Sequence, residues 1–161
     1  MSDYAEAEEL EQEPAETVNG EKFLVFSILG KLYGFPSRLI GEIALFDKVF
    51  PLPLMPSYVL GVVNRYSAPY ALFDIGLLFQ KAPSLRNKII ILKEEIDRIA
   101  FLIDDVAGIA DIQDNDLLTV ERNADSSDLT DIICASFKWQ DGDVFVIDAN
   151  RIMSRVSKEI A

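Results

Sequence analysis

The chain has 161 residues, with 27 acidic and 15 basic side chains, no histidine and one cysteine, and its net charge is −12. That length suits one domain able to bury a core without disulfide or metal staples. The missing histidines exclude a Ser-His-Asp triad, a Cys-His pair and imidazole metal sites; one cysteine makes neither a zinc cage nor an internal disulfide, and the negative charge argues against nucleic acid. Contacts with other proteins are what remain.

The charge is concentrated at the start. Residues 1–21 carry Asp3, Glu6, Glu8, Glu9, Glu11, Glu13, Glu16 and Glu21 and no base, so residues 22–161 keep 19 acids against 15 bases, a net of −4. Without Ile, Phe or Trp, and with Pro14 and Gly20, this segment lacks the apolar surface that offsets ordering entropy. The expectation is a disordered acidic arm over 1–21 and a single domain over 22–161. The arm reads as a solubilising tail, or alternatively as a strip that docks on a basic partner surface. It has neither the basic start nor the apolar run of a signal peptide, and no stretch nears the ~18 apolar residues of a membrane helix. The expected compartment is the cytoplasm, with Cys134 reduced.

From Lys22 the pattern is one of short strands. Phe23–Ile28 is a near-continuous apolar run, Leu29-Gly30-Lys31 has turn character, and Leu32–Phe35 reads as the return strand. Pro36-Ser37 opens one helical turn, and Leu39–Phe46 follows as a strand with Ile40, Glu42 and Ala44 on one side and Gly41, Ile43 and Leu45 on the other. Pro51, Pro53 and Pro56 rule out a helix or central strand in their segment. Val59–Val63 and Pro69–Phe73 bracket a turn at Asn64–Ser67, and Asp74 is placed to cap a short helical turn. Lys88–Leu92 and Arg98–Ile103 form a hairpin around Lys93–Asp97, and Val106–Ile112 alternates as a half-buried strand. Arg122–Asp131 is a polar loop. Ile132–Lys138 and Val144–Ile147 pair around Gln140–Asp143, whose Asp-Gly step favours a reversal, and the last segment is helical with Ile152, Val156 and Ile160 on one face. Many short strands without alternating long helices predict an all-β barrel or sandwich.

Two polar features could carry chemistry. Asp104-Asp105 at a strand end could hold Mg2+ as in a phosphorylated receiver domain, but the long stretch before Asp104 has no place in a receiver, and a solvated turn is the simpler reading. Glu42 is a charge inside an apolar strand, better suited to a solvent-facing position or an ion pair with a partner than to catalysis.

The segment from Pro51 to Phe79 is more specific. Its spaced prolines, then Gly61-Val62-Val63-Asn64, then an apolar strand reaching Asp74 and Phe79, resemble the CheW family, whose usual pattern is Gly-Val-x-Asn-Leu-Arg-Gly. These adaptors couple bacterial chemoreceptors to the CheA-type chemotaxis histidine kinase. Phe23–Phe26 with Tyr33-Gly34, Glu42-Ile43, Ile103–Val106 and Val144–Met153 fall in the family's order, so the resemblance spans about residues 22–155.

The resemblance implies a mainly all-β fold of two five-stranded, SH3-like barrel subdomains around a shared core, with a C-terminal helix. It implies no catalytic activity, no metal and no cofactor. A groove would receive the cytoplasmic tip of a chemoreceptor, and other faces would bind the regulatory domain of the histidine kinase. By position, Ile40, Glu42, Arg65, Tyr66 and Ile89 are the partner-binding candidates, with core burial the competing reading for the two isoleucines. Where the family has Arg-Gly, this chain has Tyr66-Ser67; Arg65, one position earlier, is expected to face the opposite side and so not to replace that Arg. Cys134, Ala135 and Phe137 stand where glycines are usual. The chain therefore reads as a divergent member, serving chemotaxis or another signalling array. The alternatives are a decoy paralogue that keeps one partner surface, and a phosphorylated receiver.

Overall fold

The structure is a computed structural model that describes residues 20–160 except 47, 80–81, 85–86, 94–96 and 121–128. Strands β1 (Gly20–Ile28) and β2 (Lys31–Pro36) form a hairpin, and one 3-10 turn over Ser37–Leu39 leads into β3 (Ile40–Leu45). A second hairpin joins β4 (Val59–Arg65) to β5 (Ala68–Asp74), followed by the short helix α1 (Ile75–Phe79). The chain continues through β6 (Lys88–Leu92), β7 (Ile99–Ile103), β8 (Asp105–Gln113), β9 (Leu118–Thr119), β10 (Ile133–Trp139) and β11 (Gly142–Ile147) to the helix α2 (Ala149–Ile160).

Two sheets result. The middle of the chain builds a five-stranded sheet in the order β3-β6-β7-β5-β4, and its two ends build a six-stranded sheet in the order β8-β1-β2-β11-β10-β9. Each sheet contains one parallel pair, β5 with β7 and β2 with β11, and the other pairings are antiparallel.

The near-continuous apolar runs follow from burial on both faces of a strand. In β1, Leu24, Phe26 and Ile28 point into a core shared by the two sheets, while Phe23 and Val25 point into a core private to the first. In β7, Ile99, Phe101 and Ile103 face the shared core, and Ala100 and Leu102 face the private core of the second sheet. Helix α2 adds Ile152 and Val156 to the shared core, and Phe79 of α1 stacks on Tyr33 of β2 with ring centroids 5.2 Å apart. Asp74 is buried, and its carboxylate accepts bonds from the Leu77 and Ser84 amides and the Ser84 hydroxyl, so the predicted cap also fastens the chain after α1.

The mainly β architecture with two sheet-based subdomains and a shared core agrees with the sequence reading. Several local expectations shift. Gly20 and Glu21 already belong to β1, and Glu21 pairs with Arg38 at 2.6 Å, so the arm's boundary moves back; the rest of the arm lies outside the described residues. The first sheet has six strands because Leu118–Thr119, too short to show as a pattern, pairs with β10. The centre of Lys93–Asp97 and most of Arg122–Asp131 also lie outside the described residues, although Asp131 pairs with Arg155 of α2 at 3.1 Å. The last hairpin turns at Gln140-Asp141, with Gln140 at φ 47°, and Gly142 opens β11, so the Asp-Gly step is not the turn itself. Ile160, expected on the buried face of α2, is exposed near its end.

Candidate functional site

In β3, Ile40, Glu42 and Ala44 are partly buried and Gly41, Ile43 and Leu45 are exposed, which is the predicted alternation. Strand β3 is one edge of the five-stranded sheet and β4 is the other. Between them the chain makes an antiparallel bridge, in which the Phe50 and Val62 backbones exchange two bonds of 2.8 Å. Gly61 permits this approach. Its φ is +142°, and a Cβ there would collide with the Phe50 carbonyl oxygen.

Glu42 spans the seam between these edges. Its Oε1 accepts a bond from Arg65 Nε at 2.6 Å and its Oε2 accepts one from the Tyr66 hydroxyl at 2.8 Å. The Arg65 guanidinium carbon lies 5.2 Å from the Tyr66 ring centroid, so the three side chains form one cluster. The Arg65 guanidinium, and then the Tyr66 hydroxyl, hold the Glu42 carboxyl below its ordinary value, and the same carboxylate pushes the Tyr66 phenol up. Glu42 and Arg65 side chains are 27% and 35% exposed, and Tyr66 is 80% exposed.

This overturns the expectation that Arg65 and Tyr66 face opposite sides. Alternation holds only along an extended strand, and β4 ends at Arg65. Tyr66 and Ser67 form a two-residue loop with φ of 52° and 62°, and this left-handed backbone swings the Tyr66 ring back over Glu42. Glu42, read as a charge open to a partner, has both oxygens engaged by its own chain.

Below the trio is a depression of about 180 Å³ lined by Leu45, Phe46, Phe50, Val63 and Ile89, with Lys48, Asn64 and Arg65 at its polar side. Ile89 is only 2% exposed and belongs to the interior, from where it shapes this face without offering surface of its own. Ile40 is partly buried against the shared core.

Sequence reasoning missed the exposed apolar residues beside the seam. Phe50, Leu52, Leu54 and Met55 are all exposed, and Leu54, at φ 61°, is 96% exposed. A signal was present: Val49–Asn64 contains no charged residue in a chain that is 26% charged.

The other candidate features are occupied by the fold. Asp104 Oδ2 accepts a 2.6 Å bond from the Leu29 amide, fixing the left-handed turn between β1 and β2, and Asp105 pairs with Lys88 at 2.8 Å. Cys134 is partly buried, and burial pushes its thiol up, away from the reactive thiolate. Tyr58 donates a 2.8 Å bond to Glu159, which ties the start of β4 to α2. Burial, then Glu159, push its phenol upward. Among the described residues no helix is long and apolar enough to cross a membrane.

The arrangement offers contact surfaces: an ion pair under an aromatic ring, a depression lined by polar and apolar groups in about equal measure, and a proline-stiffened apolar loop. Comparison with known proteins leads the same way. The chemotaxis protein CheW of Rhizobium meliloti (strain 1021) is 28% identical over 104 residues, which cover 63% of this chain and 67% of that protein. The crystal structure of the scaffolding protein TtCheW from Thermoanaerobacter tengcongensis has the same fold, with a TM-score of 0.68 and 19% identity over 80% of this chain and 88% of that one. The family model described as the CheW-like domain matches residues 22–157, which takes in both sheets and most of α2, and the chain belongs to that family.

Proposed function

We propose that this chain is a non-enzymatic adaptor that holds the cytoplasmic tip of a chemoreceptor and the regulatory domain of a CheA-type histidine kinase in register. Receptor state would then reach the kinase through geometry alone, from a cytoplasmic protein peripheral to the receptor array. Family membership supports the adaptor role, and the R. meliloti relative is itself named for chemotaxis. The observation that carries the reading is the seam, where the Glu42, Arg65 and Tyr66 polar atoms converge beside exposed Leu45 and Phe50. Apolar rim groups supply affinity and the polar trio supplies orientation, with Ile89 setting the shape from beneath; Ile40, packed on the shared core, lies outside this depression. Interfaces of roughly 600–800 Å² per partner bind weakly in pairs, and closure of an array adds avidity.

Pull-down with a kinase regulatory domain and with a receptor tip tests this: the adaptor retains both. A second reading, a decoy that keeps one surface, is favoured by Tyr66 standing at the family's Arg position, and retention of only one partner would establish it instead. Retention of neither would end both readings.

A further inference from the structure

The seam depression has the size and charge of a receptor for a single side chain. We propose that it docks a partner segment in which a Phe- or Leu-sized side chain stands beside an Asp or Glu. This specifies the partner chemistry of the surface assigned above, and so rests on that surface being a binding face.

Size comes first. A closed cavity of about 150 Å³ admits a benzene-sized group; this depression, at about 180 Å³, is open to solvent and has room for one such side chain against its apolar base. Val63 and Ile89 are buried and form its base, while Leu45 and Phe50 stay exposed and would be covered by an inserted ring. The Phe50 wall is fixed by its backbone bridge to Val62, so little ordering is left to accompany binding.

Charge sets the rest. Arg65 is held by Glu42 and serves as a fixed wall. Lys48 differs. Its Nζ lies 4.8 Å from the Phe50 ring centroid, and among the described residues it has no carboxylate partner. The mouth of a depression with a buried apolar base and a polar side, on an acidic protein, thus carries a cation with no carboxylate partner among the described residues, which suits a carboxylate beside the inserted side chain.

The test needs neither kinase nor receptor, so its outcome is separate from that of the pull-down. The full chain, labelled with 15N, is titrated with 3-phenylpropionate, 3-phenylpropanol and propionate. Saturable amide shifts at Leu45, Phe50 and Val63 are expected with 3-phenylpropionate, with affinity in the ~millimolar range. The alcohol, and separately the Lys48→Met variant, which keeps the apolar stem, should each bind about threefold more weakly, and propionate should leave these amides unmoved. The proposal is overturned by absence of seam shifts up to about 20 mM probe. Equal affinity for the alcohol, or an unaltered Lys48→Met titration, likewise removes the carboxylate from it. Deleting residues 2–19 should leave the titration unchanged. A gain of about threefold would assign the depression to the chain's own Glu9-Leu10-Glu11 and overturn the partner reading.

Discussion

Glu42 Oε1 and Arg65 Nε stand 2.6 Å apart, and this bond joins β3 to β4, the two outer strands of the five-stranded sheet. Outer strands leave backbone groups unpaired and are free to part, so a side-chain tie across them holds the shape of the face that carries the depression. The pair is partly exposed, which limits what it adds. Glu42→Gln should lower Tm by about 1–3 °C at pH 7. Because the folded carboxyl lies below its ordinary 4.5, its contribution is complete above that value and fades as pH falls through the lower folded value. The Tm difference between the two proteins should therefore be constant from about pH 5 upward and shrink as the pH falls through the lowered folded value. A difference that survives at low pH would show that the carboxylate charge is not what stabilises the seam. In the same variant, the Tyr66 phenol should titrate closer to its usual range in an absorbance titration, since its raised value comes from Glu42.

Gly61 and Gly30 separate two penalties that are usually mixed. Both have positive φ, but a Cβ at Gly30 meets nothing within 4 Å, whereas one at Gly61 collides with the Phe50 carbonyl. Gly30→Ala should cost about 1–2 kcal/mol for the left-handed backbone alone. Gly61→Ala adds a steric clash in a bridge that cannot move without breaking both 2.8 Å bonds, and should cost about 2–4 kcal/mol. Urea denaturation measures both, and equal costs would mean that the Phe50 segment yields easily.

How much of this was legible in the sequence depends on whether a feature is periodic. The strands around Phe23–Ile28, Lys88–Leu92 and Ile99–Ile103 are visible because burial on both faces writes unbroken apolar runs, and the faces of β3 are visible because Ile40, Glu42 and Ala44 alternate with exposed neighbours. Strand β9 escapes because two residues carry no period. The trio escapes for a different reason: a turn is expected at Asn64–Ser67, but the contact depends on Tyr66 and Ser67 both taking a left-handed backbone, which neither residue type announces as Gly or Asn would. Ile89 is ambiguous in the sequence because an isoleucine in a strand looks the same under a surface as on it.

That turn is also a place where the fold is not optimal. Two-residue hairpin loops with positive φ at both positions favour Asn-Gly, and here the residues are Tyr66-Ser67. Among the described residues the Ser67 hydroxyl has no hydrogen-bond partner, so replacing it relieves the backbone without breaking a contact. Ser67→Gly should stabilise the protein by up to about 1 kcal/mol, raising Tm by about 2–4 °C. The gain should appear with the Glu42 contacts intact, which the Tyr66 titration reports. A fall in Tm would mean that the serine side chain contributes something beyond its backbone.

Tyr66→Arg tests whether the trio is read by a partner. In the native chain Glu42 and Arg65 cancel and Tyr66 adds a neutral ring, so the cluster presents an aromatic surface with no net charge. A second guanidinium competing for one carboxylate would leave the cluster with an excess positive charge and remove the ring. Binding to a kinase regulatory domain or a receptor tip should then change by more than about twofold, and the variant's affinity should depend more steeply on salt than the native protein's. Tyr66→Phe is the companion variant. It keeps the ring and loses only the bond to Glu42 Oε2, so partner affinity should stay within about twofold while the salt dependence stays flat. Affinity and salt dependence measured by calorimetry at two ionic strengths separate these outcomes. If Tyr66→Arg binds both partners as the native chain does, with the same response to salt, then the trio only closes the seam and recognition lies on another face.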